Sequence, residues 1–516
     1  MAAANTPLDP PCPVLPAQQR RPLYDVATTR RLEAAALSAS APHALMACAG
    51  LMVARLAQAL AAPEAAIWVA AGPGNNGGDG LVAARYLRQW GRAVQVHWLG
   101  DAARLPDDAR DALATAQAAG VPISPGLPPV APAGFHIDAL LGIGARQAPD
   151  GAVAAAIGLF NAGRGDGVLA LDLPSGLAAD TGQPLGAAAV RADHTLALLT
   201  LKPGLFTGAG REHAGRIWWH GLGVARDDAA APTAWLGGPA RDPVRDQDAH
   251  KGTFGDVIVL GGAPGMGGAA LLAASAALAA GAGRVLVARL DDNPLAVDPL
   301  RPELMPRRPA DLLLPAALAT ATVVAGCGGG QAIAEWLPAV LAHAGRLVLD
   351  ADGLNAVAAD AALAALLSSR AKRGQATVIT PHPLEAARLL ATPTANVQAD
   401  RLASAAQLAQ RFAATVVLKG SGSVIASPDQ LPTINPTGGP RLATAGSGDV
   451  LAGWLAGRWS ASGAQVLTHD AVHAVAVAAV WQHGAAGESG DARRPLRAGD
   501  LVEALMNRGP PPAVPG

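Results

Sequence analysis

The stretch VAAGPGNNGGDGLVAARYL, residues 69–87, sets a glycine-packed turn between a strand end and a helix start. Gly72, Gly74 and Gly77 have the Gly-x-Gly-x-x-Gly spacing that lets a backbone approach a pyrophosphate at a helix N-terminus. Asn75, Asn76 and Asp79 lie in the same turn and add side-chain groups for a ribose, a ring or an ion. No Gly-Lys-Ser/Thr closes the turn, which excludes a P-loop. Further oxygen donors stand at strand ends: Asn76 after IWVAAG, Asp138 in FHIDALLGIG and Ser175 in VLALDLPSG. A carbonyl, one carboxylate and a hydroxyl suit a hard, monovalent cation. Capping of helices or turns is the simpler account of Asp138 and Ser175 taken alone.

A second group of residues suits phosphoryl transfer. In RLATAGSGDVLAGWLAG, residues 441–457, the turn before an apolar helix lets Gly446, Ser447 and Gly448 aim free N–H groups at one anion. Asp449 at its mouth suits a base taking a proton from a substrate hydroxyl, help typically worth about 10²–10⁴-fold. An N-cap role for Ser447 or Asp449 fits the same pattern. Lys419, Gly420, Ser421, Gly422 and Ser423, in VVLKGSGSVI, offer a cation and a small-residue turn for phosphates. His382 stands between two prolines that fix its direction, either as a substrate contact or as a turn residue. Glu385 stands between a magnesium-phosphate role and an ordinary first-turn glutamate.

The elements that must position these groups repeat a β-α rhythm: IWVAAG, LVAARYLRQWG, AVQVHWLG and DDARDALATAQAAG, then FHIDALLGIG, VLALDLPSG and HTLALLTLKPG. This predicts parallel sheets flanked by helices, with function at the carboxyl ends of strands. Charge, proline and glycine replace the rhythm around RDDAAAPTAWLGGPARDPVRDQDA, after which it restarts at DVIVLGG. The expected organisation is a flexible leader at 1–21, a first domain at 22–224, a linker at 225–234 and a second domain at 235–512. The fold class is α/β in both.

Of the 516 residues 51% are hydrophobic and 15% charged, the balance of a globular chain. Thirty-nine basic and 40 acidic residues leave a formal charge of −1, so attraction to nucleic acid or anionic lipid is not expected. Cys12, Cys48 and Cys327 suggest neither a disulfide framework nor a zinc site, and a cytoplasmic setting is expected. The uncharged runs Val257 to Gly283 and Leu312 to Ala334 contain glycine or proline and read as strand, turn and buried helix, not membrane spans.

The N-terminal motifs, Gly-Pro-Gly-Asn-Asn-Gly-Gly-Asp-Gly, DALLGIG, and LDLPSGL followed by DTG at Asp180, strongly resemble the NAD(P)HX epimerase domain over roughly residues 22–224. The resemblance implies a Rossmann-like domain binding hydrated reduced nicotinamide dinucleotide and potassium. Asn75, Asn76, Gly77, Gly78 and Asp79, with Gly142, Ile143, Gly144, Ala145, Arg146, Gln147 and Ala148, would contact this substrate. Asn76, Asp138 and Ser175 would hold potassium, and Asp172 would face the damaged ring as acid/base. LMACAG, residues 45–50, departs from the family at Ala47 and Cys48.

HKGTFGDVIVLGG, DADGLN, TPHPLE, LKGSGSVI and GSGDVLAG resemble, in order across residues 250–456, the NAD(P)HX dehydratase branch of the ribokinase-like superfamily. This implies that Lys419 to Ser423 and Gly448 line ADP or ATP, accompanied by Mg2+. Asp449 and His382 would lie against the hydrated dinucleotide, with Gly267, Gly268, Ala269, Ala270, Gly328 and Gly330 shaping its cleft. Leu384 and GCGGG depart from the family pattern.

The chain is therefore expected to be a bifunctional repair enzyme for NADHX and NADPHX, acting as a homo-oligomer. The alternatives are a nicotinamide dehydrogenase with Asp101 as ribose-binding acid, a vitamin-precursor kinase fused to a nucleotide module, and a first domain that only binds.

Overall fold

Parallel strands alternating with helices build both halves of the chain, as the repeated rhythm predicts. The computed structural model describes residues 9–225, 230–239, 246–291, 296–463, 467–491 and 493–507. It divides into two units, one of residues 1–16 and 22–234, the other of 17–21 and 235–516.

In the first unit, β1 (Cys12–Pro13) is followed by α1 (Val26–Ala39), α2 (Ala44–Leu60), β2 (Ile67–Ala71) and α3 (Asn75–Gln89). Then come β3 (Val94–Trp98), α4 (Asp107–Ala118), β4 (Ile123–Pro125), β5 (Phe135–Ala139), α5 (Gly151–Ala162), β6 (Gly167–Leu171), β7 (His194–Leu198) and β8 (Arg216–His220). The sheet order is β1-β8-β7-β6-β5-β2-β3-β4, parallel except at β1. Central strands β2 and β5 are buried along their whole length, β2 as an unbroken apolar run and β5 with His136 and Asp138 buried among its apolar residues.

Residues 9–21 correct the expectation of a loose leader; residues 1–8 lie outside the described part. Cys12 and Pro13 pair with Trp219 and Trp218, and Val14 is buried. The prolines that forbid a helix here are compatible with an edge strand, where a missing N–H costs no ladder bond. The division near the expected linker falls between Ala234 and Trp235.

The second unit contains β9 (Asp256–Gly261), α6 (Gly267–Ala279), β10 (Arg284–Arg289), β11 (Met305–Arg307), β12 (Thr322–Ala325), α7 (Ile333–His343), β13 (Arg346–Leu349) and α8 (Ala351–Ala359). It continues with β14 (Ala376–Ile379), α9 (Pro383–Leu390), α10 (Arg401–Phe412), β15 (Thr415–Leu418), β16 (Val424–Ala426), β17 (Thr433–Ile434), α11 (Ser447–Ala461), α12 (His469–Glu488) and α13 (Ala498–Met506). Of the eleven strands in this sheet, these nine run in the order β11-β10-β9-β12-β13-β14-β15-β16-β17, parallel from β11 to β15 and antiparallel from β15 through β17. Apolar clusters cover both faces: α6, α11, α12 and α13 contribute to one, α7, α8, α9 and α10 to the other.

Both long uncharged runs resolve into strands, turns and short helices. Among the described residues no single helix is long and apolar enough to cross a membrane.

Candidate functional sites

At the carboxyl ends of β2, β5, β6 and β7 the first unit encloses a cavity of about 460 Å³. Its walls include Asn75, Asn76 and Asp79 from the start of α3, Gly142, Ile143, Gly144 and Ala145 from the turn after β5, and Asp172 after β6. Thr29, Arg30 and Glu33 of α1, Met46 and Ala49 of α2, and Lys202 after β7 complete it. The two glycine turns cross closely: a Cβ on Gly72 would stand 1.9 Å from the Leu140 carbonyl oxygen. Only glycine permits that crossing.

Several expected contacts fall elsewhere. Gly77 and Gly78 are buried inside α3, and Gly77 is held against the Gly72 carbonyl. Arg146, Gln147 and Ala148 lie beyond the cavity lining, exposed on the loop towards α5. The departure at residues 45–50 leaves Met46 and Ala49 on the cavity wall, while Cys48 turns into the core.

Asp172 has φ +65, a left-handed conformation that a non-glycine residue adopts at a cost and that clusters at functional sites. Its carboxylate is ion-paired with Lys202, whose Nζ also donates to the Leu198 carbonyl at 2.8 Å. The Lys202 side chain is 1% exposed. Sequence reasoning passed over this lysine, although LTLKPG places a charge immediately after a buried strand. Burial, then the charges of Asp172, Glu33 and Asp108, hold the Asp79 carboxyl well above the usual carboxylate range.

Behind the cavity, Asp138 accepts from Ser175 N at 2.8 Å and from Ser175 Oγ at 2.6 Å. Ser175 Oγ also accepts from Leu141 N at 2.9 Å. Burial pushes Asp138 up to about 6 against the pull of these hydrogen bonds. Among the described residues no basic side chain touches it. Asn76 lies across from Gly142, and its Nδ2 is buried without a hydrogen-bond partner.

In the second unit, Lys419 directly follows β15 and donates to Asp350 Oδ1 at 2.6 Å. Gly448 lies beside this pair: a Cβ built on it would be 3.4 Å from Lys419 Nζ and 3.8 Å from Asp350 Oδ2. Helix α11 begins after Gly446, whose φ of +89 makes the turn, and no side chain caps it. Neither Ser447 nor Asp449 is the N-cap; the Ser447 hydroxyl donates to the Leu442 carbonyl instead. The uncapped amides leave a positive helix end beside Lys419.

Asp449, in the first turn of α11, is pushed up to about 6 by burial and then by Asp350, while a hydrogen bond from the Cys327 thiol and the charge of Lys419 oppose the rise. Cys327 is fully buried. Its turn packs on the start of α6, where a Cβ on Gly328 would come within 2.8 Å of Ala269 and of the Met266 carbonyl. Gly267, Gly268 and Ala269 are at least partly open, but Ala270 is fully buried in the core and offers no contact. The Gly330 amide donates to Asp352 Oδ2 at 2.8 Å.

His382 caps α9: its Nδ1 accepts from Leu384 N and Glu385 N, and its own N–H donates to Glu385 Oε2. The ring remains half-exposed with Nε2 3.2 Å from Glu385 Oε1. Burial pushes Glu385 up to about 7. Of the expected nucleotide loop, Lys419, Gly420, Ser421 and Ser423 are at least partly exposed, while Gly422 is buried. Deeper, His483 Nε2 donates to the Ser447 carbonyl at 3.0 Å, supporting the turn from below.

Residues 42–204 match the family model described as YjeF-related protein N-terminus, and residues 257–507 match NAD(P)H-hydrate dehydratase. A Coxiella burnetii protein called bifunctional NAD(P)H-hydrate repair enzyme Nnr is 36% identical, covering 77% of this chain and 81% of its own. An Escherichia coli protein of the same name is 35% identical, over 86% and 85%. A solved Bacillus subtilis ADP/ATP-dependent NAD(P)H-hydrate dehydratase is 29% identical, covers 51% of this chain and 92% of its own, and superposes with a TM-score of 0.42. With both family models matched in tandem and relatives aligned across most of its length, the chain belongs to the bifunctional NAD(P)H-hydrate repair enzymes.

Proposed function

We propose that the first unit interconverts the R and S epimers of NADHX and NADPHX, and that the second dehydrates the S epimer at the expense of ADP or ATP. The observation that carries this reading is that each unit sets a carboxylate near a lysine at the carboxyl edge of its own parallel sheet. Asp172 is ion-paired with Lys202 in one; Asp449 lies near the Lys419–Asp350 pair in the other.

Inverting the hydroxyl-bearing ring carbon requires a bond at that carbon to open and re-form, with a proton moved at the hydroxyl. Asp172 would move that proton, and Lys202 would fix its direction. Asn75 and the 142–145 turn would hold the dinucleotide over it. Asn76, Asp138 and Ser175 would hold potassium, which when bound would supply a fixed positive charge to the cavity. The fit lies in Asp138, a buried carboxylate with no basic partner among the described residues.

In the second unit, Asp449 would take the proton from the substrate hydroxyl as its oxygen attacks the terminal phosphorus of the nucleotide. Lys419 and the α11 amides would stabilise the transferring phosphoryl group. Phosphate is a far better leaving group than hydroxide; its loss with a ring proton restores the reduced nicotinamide. Both Glu385 oxygens are engaged with His382, so we assign Glu385 to holding His382 in place and not to Mg2+.

The test is recovery of reduced-nicotinamide absorbance from an R/S mixture of NADHX, with ADP and ATP supplied separately. The wild type should recover all of it with at least one nucleotide. Asp449→Asn should lose about 10²–10⁴-fold in rate, and Asp172→Asn should recover only the S portion rapidly. No recovery with either nucleotide would sink the reading and favour a vitamin-precursor kinase.

A further inference from the structure

We infer that Glu33 is a second proton-transferring group of the first site, working opposite the Asp172–Lys202 pair; this rests on that cavity being the epimerase site. Three tethers fix α1 and its lead-in. Val26 N donates to Asp180 Oδ1 at 2.9 Å, Tyr24 N donates to the Leu201 carbonyl at 2.9 Å, and Thr29 Oγ1 meets Thr200 Oγ1 at 2.8 Å in a buried contact. Thr200 stands two residues before Lys202. Glu33 stands four residues after Thr29, which puts both on one face of the helix, one turn apart.

That face is the cavity wall: Thr29, Arg30, Glu33 and Leu37 all line it. The helix therefore presents one carboxylate to the chamber whose other walls carry Asp172, Lys202 and Asp79. Among the described residues no hydrogen bond or ion pair engages the Glu33 carboxylate, whereas Asp172 is held by Lys202 and by Leu198 N. Burial and the charge of Asp172 push the Glu33 carboxyl up, against the opposing pull of Lys202 and Arg30. Of the carboxyl groups that line the chamber, the ion-paired Asp172 and the Glu33 carboxyl that the helix presents form an acid and base pair.

In one direction, Glu33 as acid protonates the ring hydroxyl. The C–O bond breaks with its electron pair leaving as water, and the ring nitrogen lone pair forms a C=N⁺ bond. Water re-adds from the opposite face and gives its proton to Asp172, inverting the carbon. Atoms balance in the step, and solvent then takes the proton from Asp172 and returns one to Glu33 before the next turnover; the reverse direction starts from protonated Asp172 and ionised Glu33.

The experiment uses the full chain and the purified R epimer of NADHX without nucleotide, in water enriched in oxygen-18. The wild type should incorporate label as it epimerises. Glu33→Gln should lower kcat for both processes by about 10²–10⁴-fold with KM little changed, and Glu33→Asp should restore part of kcat. Dehydration of the S epimer with nucleotide, and the thermal melting curve, should match wild type in each variant. A wild type that interconverts neither epimer overturns the cavity's assignment and this inference with it. An active wild type matched by Glu33→Gln, a loss confined to KM, or epimerisation without label overturns the inference alone.

Discussion

At the scale of single residues, the contact between Cys327 and Asp449 sets a testable pH dependence. Asp449 must be ionised to accept a proton, and burial pushes it up to about 6. Dehydration should therefore be at full rate above that value and fall as pH drops through it, because the protonated carboxyl cannot act as base. The Cys327 thiol opposes the rise by donating a hydrogen bond to the carboxylate. Replacing it by Cys327→Ala removes a donor that favours the charged form. The acid limb of kcat/KM, which reports the free enzyme, should then move to higher pH while the plateau on the alkaline side is retained. A limb unmoved between the two proteins would show that the thiol contact does not tune Asp449, and a limb moved to lower pH would reverse the sign argued here.

At the scale of elements, the position of Asp449 depends on how closely α11 lies against α6. A Cβ on Gly453 would stand 1.9 Å from the Ala273 carbonyl oxygen, and one on Gly457 would stand 2.4 Å from that of Ala277. Two opposing effects meet in Gly453→Ala. Helix propensity favours alanine by about 0.8–1 kcal/mol, whereas forcing a methyl into a closed backbone contact costs about 1–3 kcal/mol. The clash should win, so the midpoint of thermal unfolding should fall, and a rise would show that the helices separate easily. Gly453 is four residues after Asp449, so a displaced helix should also lower dehydratase kcat. The glycine-rich starts of α3 and α11 and the strand rhythm were legible in sequence because they depend on local backbone requirements. Lys202, Glu33 and Cys327 were not assigned roles, because theirs depend on which distant segment each faces. Glu33 in RRLEAAALSA reads as a solvated helix glutamate until Thr29 is seen bonded to Thr200. The prolines from Pro10 to Pro16 are incompatible with a helix and none forms there, but local sequence could not show the edge of β8 on which Cys12 and Pro13 lie. His382 takes the turn alternative, its Nδ1 capping a helix, and its ring remains half-exposed.

At the scale of the whole molecule, each set of candidate groups lies within its own unit, at the carboxyl edge of that unit's sheet. The candidate groups of the first run from Thr29 to Leu222, those of the second from Gly267 to His483, and no residue is shared. Substitutions at sites without shared partners act additively, so Asp172→Asn and Asp449→Asn should each remove one activity and spare the other. With no candidate residue shared, the S epimer made at the first site is a small molecule able to diffuse to the second. An equimolar mixture of the Asp172→Asn chain with the Asp449→Asn chain should therefore recover all the absorbance from an R/S mixture. The Asp449→Asn chain would supply the S epimer and the Asp172→Asn chain would consume it. With wild type matched to the same concentration of each intact site, the two time courses should coincide once a protein-free control has set the spontaneous rate. A mixture that recovers only the S portion rapidly, or lags well behind wild type, would mean that the two activities require one chain.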